Sequence, residues 1–469
     1  MTSTVTAPAG TSRWVALGVI AVAQLMVALD ATIVNVALPT AQRALDFDDA
    51  QRSWVITAYT LSFAGLLLLG GRLADRVGRR RAMMTGLVGF AASSALAGAA
   101  PSFGVLVAGR ALQGGFAAMM APAALSLIAV TFTEPRERGK AFGIFGAVAS
   151  SGAVTGLLLG GALTEYAGWR WCLYVNVLIA AGALLVGSRA LPRGDGYPAP
   201  VDVISGVLAT AGLAAVVYGA SEAATHGWSS ARVLVPGLTG LGLGMLFLLR
   251  QRLAAHPLLP LSILADRSRA SAYLATATSV IGTFGMFLML TYHFQVVLGY
   301  SPLHTGVAFL PLNVAVIASS GLASRLMTSA PARVLVAPGL LVAAVGLTLL
   351  TRLSPDSGYA TLILPAMVLV GLGVGMVFTP SIGVATSGVD PRMAGVAAAT
   401  ANTAMQIGGS VGTAVLNTIA IDATSGFGGS PAAAIVHGFA TATGWAAVVL
   451  VVVAAVVALG LDARAHTHR

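Results

Sequence analysis

GRLADRVGRRR, residues 71–81, sets five arginines and one aspartate between two stretches, 54–70 and 82–101, that hold no charged residue at all. An apolar run of ~20 residues is long enough to cross the hydrocarbon core of a bilayer as a helix. Connections rich in arginine and lysine stay on the cytoplasmic side. The segment therefore reads as the cytoplasmic loop of a membrane hairpin. A second reading stands beside that topogenic one. Asp75 can hold helices together through arginine pairs or a helix N-terminus, and contacts made in one state and broken in another bias a conformational switch. Gly71, Asp75, Arg76, Gly78, Arg79 and Arg80 are the candidate switch residues.

The same alternation continues outward in both directions. Apolar runs fall at about 14–36, 54–71, 82–101, 103–130, 141–163, 169–191, 202–221, 233–249, 270–297, 303–324, 334–353, 358–380, 394–420 and 437–461. The break between the third and fourth rests on Pro101, and the first run is too long, and carries Asp30, for a cleaved signal peptide. Fourteen spans place both termini on one side, where 20 of the 26 Lys and Arg residues then lie, against 5 opposite and Arg110 inside a span. That bias puts both termini in the cytoplasm. Only 9% of the 469 residues are charged and 57% are hydrophobic, against ~25% charged in a soluble domain. The net charge of +10 sits in short connections, which argues for topology and against nucleic acid. Lys140 is the one lysine, and the excess of Arg, Ala, Gly and Val suits a GC-rich bacterial genome, hence a bacterial inner membrane.

An internal repeat supports two halves. LQGGFAAMMAP (112–122) aligns with VGLGVGMVFTP (370–380), and Gly152 and Gly156 match Gly408 and Gly412 at an offset of 256. Residues 71–81 have a degraded echo at 321–333. The expected plan is an N-terminal six-helix bundle over 1–195, two linking spans over 196–265 and a C-terminal six-helix bundle over 266–469, with 192–201 as linker. Parallel repeats of six spans are one known plan of secondary transporters.

The chemistry-bearing residues are few. No zinc-protease pattern is present, and Gly139–Lys140 lacks the upstream glycine of a phosphate loop. That argues against an enzyme and against an ATP-driven pump. The lone Cys172 excludes an internal disulfide and a multi-cysteine metal site, so no metal or cofactor is expected. A charge inside a span is a functional candidate by default. Asp30 lies ~25 Å into the first span at 1.5 Å per residue; it reads as a protonation or cation-binding site, or as a structural carboxylate near a kink. Arg110, at the start of the fourth span, reads as a partner for substrate or carboxylate, or as a cross-helix anchor. Gln113 follows three residues on, on the same face, and Asn35 sits about one turn beyond Asp30. Asn402, Gln406, Ser410, Thr413 and Asn417 form a polar stripe that either lines a cavity or glues helices. His293 reads as a wetted end residue, and Glu165 and Glu222 as solvated. Gly152, Gly156, Gly160 and Gly161 form a flat helix-packing face, passive or gating.

These residues resemble the major facilitator superfamily, specifically its fourteen-span drug:proton antiporter branch, over about residues 14–460. LDATIVNVALP (29–39) resembles the first-span signature, and 71–81 the loop signature between spans two and three. Arg110, Gln113 and Gly114 resemble the fourth-span signature, and Trp169-Arg170-Trp171 with Asn176 the start of span six. HPLLPLSIL (256–264) and LGYSPLHTGVAFLP (298–311) are similar to landmarks of the second half. In the fifth span, Leu157 stands where the branch has proline. The resemblance implies an all-α membrane fold of two six-helix bundles plus two central spans. It implies that Asp30 couples or senses substrate, that Arg110 takes part in proton transfer, and that Asp75 and Arg79 stabilise the outward-facing state. The implied activity is proton-coupled export of hydrophobic or cationic small molecules, as in multidrug and antibiotic efflux; a lipid-embedded monomer is the default expectation for its assembly. The alternative within the same fold is transport of a specific polar metabolite or lipid.

Overall fold

A backbone surrounded by lipid must satisfy its own hydrogen bonds, which helices do without help from neighbours. The computed structural model describes residues 10–49, 51–192, 202–254, 257–327, 329–386 and 394–461, and helices make up nearly all of them. They are α1 (Gly10–Leu45), α2 (Arg52–Val77), α3 (Arg79–Gly98), α4 (Phe103–Thr131), α5 (Pro135–Tyr166), α6 (Trp171–Ala190), α7 (Val203–His226) and α8 (Ala231–Leu253). The short α9 (Leu261–Ala265) precedes α10 (Arg267–Tyr292), which runs into a π-helical turn at His293–Val297. Then come α11 (Pro302–Ala308), α12 (Leu310–Leu326), α13 (Ala332–Leu350), a π turn at Tyr359–Ile363 leading into α14 (Leu364–Thr386), α15 (Ala394–Ser425) and α16 (Pro431–Gly460).

Among the described residues, 12 helical segments are long and apolar enough to cross a membrane. α3 and α5, which fill the third and fifth of the span positions read from the sequence, fall outside that set. α3 opens on three arginines, and α5 is rich in glycine, alanine and serine. The tenth expected span is in two pieces, α11 and α12, read together as one crossing.

Residues 71–81 are not a loop. α2 continues to Val77 and α3 begins at Arg79, so Gly78 is the one residue between them. Its φ of 94° is in the region glycine favours. The turn is closed by Gly78 N–H donating to the Ala74 carbonyl at 3.1 Å and Ala82 N–H donating to the Gly78 carbonyl at 2.9 Å.

The chain forms two compact units. The first comprises Met1–Phe47, Ala58–Val207 and Ser301–Val307; the second Asp48–Thr57, Leu208–Tyr300 and Ala308–Arg469. The linker candidate 192–201 lies, apart from Pro192, outside the described residues. In the first unit, Ile20 and Met26 of α1, Phe63 of α2, Leu87 and Phe90 of α3 and Met120 of α4 belong to one continuous core. α1 lies against the glycine face of α5. A β-carbon on Gly152 would sit 2.6 Å from that of Ala28, one on Gly156 2.8 Å from the Leu29 carbonyl oxygen, and one on Gly160 2.8 Å from Cγ1 of Ile33. Small residues are what let membrane helices approach this closely. The device recurs in the second unit, where Gly408 lies on the backbone of Ala277 and Gly412 on that of Ile281, joining α15 to α10.

Candidate functional site

In the first unit, five helices bring their polar side chains to one point. α1 carries Asp30, α2 Tyr59, α3 Ser94, α4 Arg110 and Gln113, and α6 Asn176, and none is more than 1% exposed. One Asp30 oxygen, Oδ2, accepts from Arg110 Nη1 at 2.5 Å. The other accepts from Asn176 Nδ2 at 2.7 Å and Gln113 Nε2 at 3.1 Å. Gln113 ties the cluster inward: its Oε1 accepts from Arg110 Nη1 at 3.0 Å, and its Nε2 also donates to Ser94 Oγ at 2.7 Å. The three-residue spacing of Arg110 and Gln113 sets both on the same face of α4.

The guanidinium carbon of Arg110 lies 4.5 Å from the centre of the Tyr59 ring. The local packing makes that possible. Gly114 of α4 rests on the Tyr59 carbonyl of α2, an approach that any side chain would block. The cluster is thus a neutralised ion pair whose carboxylate has two further donors and whose cation has an aromatic face. Two charges can stay this deeply buried only when paired and hydrogen-bonded.

The candidates read from the sequence divide. Asp30, Arg110 and Gln113 meet. Asn35 does not join them: its Nδ2 donates to the Ala31 carbonyl of its own helix at 3.4 Å. Asn402 is half-buried and Gln406 buried on α15, in the second unit, where Gln406 offers its carbonyl to Ser410 Oγ at 2.8 Å. Of the switch candidates, Gly71 has room beside Pro122, Arg76 is exposed, and Arg79 is half-buried. Arg80 Nη2 donates to the Ser188 carbonyl at 2.6 Å, near the C-terminal end of α6, where a cation is electrostatically favoured. Asp75 lies in α2, and its side chain falls outside the described residues.

Of the side chains read as wet, Glu165 is exposed and His293 is not. His293 is 0% exposed, in the π turn that ends α10. Glu165 is exposed, but its Oε2 accepts the Leu303 N–H at 3.1 Å. Residues missed as site members are Asn176, seen only as a landmark of span six, and Ser94 and Tyr59. An amide inside an apolar run was the available signal for Asn176, whereas Ser94 and Tyr59 offered none. Arg52 was missed too; counted as a loop charge, it is 5% exposed. Among the described residues no group of His, Cys, Asp and Glu could hold a metal ion.

The model of the Major Facilitator Superfamily matches residues 20–413. The puromycin resistance protein of Streptomyces alboniger is 50% identical, over 96% of this chain and 92% of its own. The cephamycin export protein of Amycolatopsis lactamdurans is 39% identical, over 88% and 86%. Among solved structures, a bacterial homologue of the human lysosomal transporter Spinster, in an inward-facing and unoccupied conformation, superposes with a TM-score of 0.69. It covers 97% of this chain and 98% of that one at 18% identity, which speaks to the fold alone.

Proposed function

The chain belongs to the major facilitator superfamily, and from that premise we propose that it exports hydrophobic or cationic small molecules, antibiotics among them, in exchange for protons and by alternating access. The similarity to proteins of antibiotic resistance and export supports the direction and the substrate class. The coupling reading rests on one observation: Asp30 is fully buried, and its carboxylate is shared by Arg110, Gln113 and Asn176.

A proton that reaches Asp30 removes the charge that compensates Arg110. An unpaired buried cation is disfavoured by several kcal/mol, so Arg110 must find another partner or move toward water, and α4 shifts relative to α1. A lipophilic cation that reaches the same carboxylate displaces Arg110 in the same way. Proton and cationic substrate then compete for one group, which is the requirement for exchange. Binding of either one weakens the other by the same factor.

The reading extends to the rest of the chain. All fourteen helical columns, α3 and α5 included, cross a bacterial inner membrane with both termini in the cytoplasm. Bundles over 1–195 and 266–469 flank linking spans over 196–265, and a lipid-embedded monomer is the working unit. Residues 71–81 act as the conformational switch; Asn35 is a cavity residue of the first unit, and Asn402 and Gln406 are cavity residues of the second. Although Leu157 replaces the branch's proline, the glycines of α5 still provide a face along which α1 can slide.

Dye flux in inside-out vesicles energised by a proton gradient tests the proposal, with wild type beside Asp30→Asn. Gradient-driven flux lost in the variant supports it; equal flux in both removes Asp30 from the coupling. The buried stripe Gln406, Ser410 and Thr413, in which Thr413 Oγ1 has no hydrogen-bond partner among the described residues, favours a second reading. That reading is transport of one polar metabolite or lipid. Saturable competition by a single compound, with indifference to dyes, would distinguish it.

A further inference from the structure

The two oxygens of Asp30 are held unequally. Oδ2 faces Arg110 Nη1 at 2.5 Å. A guanidinium only donates, so it has no lone pair to receive an O–H, and a proton placed on Oδ2 would point at a cation. Oδ1 faces two carboxamides instead, Asn176 Nδ2 at 2.7 Å and Gln113 Nε2 at 3.1 Å. A carboxamide has a donor end and an acceptor end. Turned over about its last bond, it serves an ionised carboxylate in one position and a protonated one in the other.

Only one of the two amides is at liberty to turn. Gln113 is committed at both ends: its Oε1 accepts from Arg110 Nη1 at 3.0 Å, and its Nε2 also donates to Ser94 Oγ at 2.7 Å. Reversed, it would set an NH2 group against the guanidinium. Asn176 is committed at one end. Its Oδ1 has no hydrogen-bond partner among the described residues, on a side chain in a residue that is 0% exposed. A buried polar atom left without a partner is costly and calls for a reason. Turning this amide over exchanges one unpartnered end for the other, so the reversal itself changes little. The other titratable groups around the carboxylate do not fit the role. Arg110 has no acceptor. Tyr59 shows its ring to the guanidinium, 4.5 Å away, and its hydroxyl makes no bond to the carboxylate. Cys172, one turn before Asn176 on α6, has its Sγ 3.2 Å from Thr164 Oγ1.

We propose that Asn176 is the acceptor for the proton that Asp30 carries. The proton adds to Asp30 Oδ1, the bond from Asn176 Nδ2 is given up, and the amide turns over so that its own Oδ1 accepts the new O–H. No covalent bond of the protein breaks, and the cluster gains one positive charge. Oδ2 becomes the carbonyl oxygen of a neutral acid and holds Arg110 less tightly, since the bond no longer joins two charges. The carboxylate thus has a loading oxygen, served by α6, and a release oxygen, served by α4. Without the reversal, the O–H would meet two NH2 groups and stay unpaired in a buried site. This rests on the coupling reading proposed above, and it assigns the proton to one atom and its stabilisation to one residue.

Infrared difference spectra of the purified protein in lipid, taken between high and low pH, read both groups at once and need no substrate. Loading should bring up the carbonyl stretch of a protonated carboxyl, a band that Asp30→Asn removes. With it, a side-chain amide carbonyl band should move to lower frequency, as a carbonyl does on accepting a hydrogen bond. Isotopic labelling of asparagine side-chain carbonyls should displace that band, and labelling of glutamine should leave it in place. In Asn176→Leu, similar in size and without either polar end, the asparagine band should be lost. The carboxyl band should remain there and rise in frequency, its O–H having lost its acceptor. Asn176→Ser, too short to reach, carries the assignment if Asn176→Leu does not reach the membrane. An amide band that follows labelled glutamine, a carboxyl band that rises with no amide change, or a carboxyl band identical in wild type and the Asn176 variants would overturn the inference. So would the lack of any band that Asp30→Asn removes. Failure of the coupling reading looks different: both bands intact, with dye flux equal in wild type and Asp30→Asn.

Discussion

Asp30→Asn is close to isosteric, so its consequences can be worked from the geometry. The carboxylate accepts from three donors, at 2.5, 2.7 and 3.1 Å. An asparagine there keeps one acceptor oxygen and turns an NH2 group toward the remaining donors. Arg110, 1% exposed, loses its counter-charge and keeps Gln113 Oε1 and the Tyr59 face. Breaking one side of a buried pair costs about 3–5 kcal/mol, and the aromatic face offsets up to ~2 kcal/mol of that when desolvated. A net loss of about 1–5 kcal/mol follows from those two ranges. Arg110→Gln alone should lose a similar amount, because it strands the carboxylate. The double variant Asp30→Asn, Arg110→Gln carries no buried charge and should be at least as stable as either single one. A double-mutant cycle on thermal inactivation of the purified protein isolates the coupling between the two sites. Strictly additive losses would mean that the pair does not hold the five helices together, and the exchange argument would go with it. Transport should behave differently from stability: the double variant recovers folding without recovering gradient-driven flux.

Ser94→Ala should cost only about 1 kcal/mol, the net worth of one ordinary hydrogen bond, since Gln113 Nε2 retains Asp30; thermal inactivation reads it. Gly156→Ala should destabilise by about 1–3 kcal/mol by forcing α1 off α5, whereas Gly18→Ala, with open space around the new carbon, should gain up to ~1 kcal/mol from helix propensity. Opposite signs in one melting assay would check both. Gly78→Ala places a β-carbon at a φ of 94° and should lose about 1–3 kcal/mol, read as a lower yield of monodisperse protein. Arg80→Ala, which gives up a bond near a helix C-terminus at a partly exposed position, should cost no more than ~1 kcal/mol of stability yet slow dye flux, because it alters the switch segment.

The helices were legible because lipid imposes a simple rule: long apolar runs must be helical, and breaks must be polar or flexible. The rule gave little help with Gly78, where arginines on both sides look like a loop although each lies in a helix. Asp30 and Arg110 stood out because a charge in an apolar run is conspicuous. That they pair is a tertiary fact, as is the arrival of Asn176 from α6, 146 positions away. Ser94 and Tyr59 carry no sign of their own, since serine and tyrosine are ordinary in membrane helices. Arg52 was misread for a related reason. At the start of a span, arginine is ordinary interfacial chemistry, and only the rings of Tyr292 on α10 and Phe439 on α16, which face its guanidinium, make its position unusual.

The single residue joining α2 to α3 has a mechanical meaning. Two rods connected through one pivot have almost no slack between them. A rotation of α2 about its long axis must be absorbed by the two dihedral angles of Gly78 or handed on as torque to α3. α3 carries Ser94, whose hydroxyl touches Gln113, which in turn touches Asp30. The pair of helices therefore works as a stiff crank, with its pivot at the arginine-rich end and its tip in the carboxylate's own shell. Lengthening the joint by even one flexible residue would leave each helix intact and still let the crank slip.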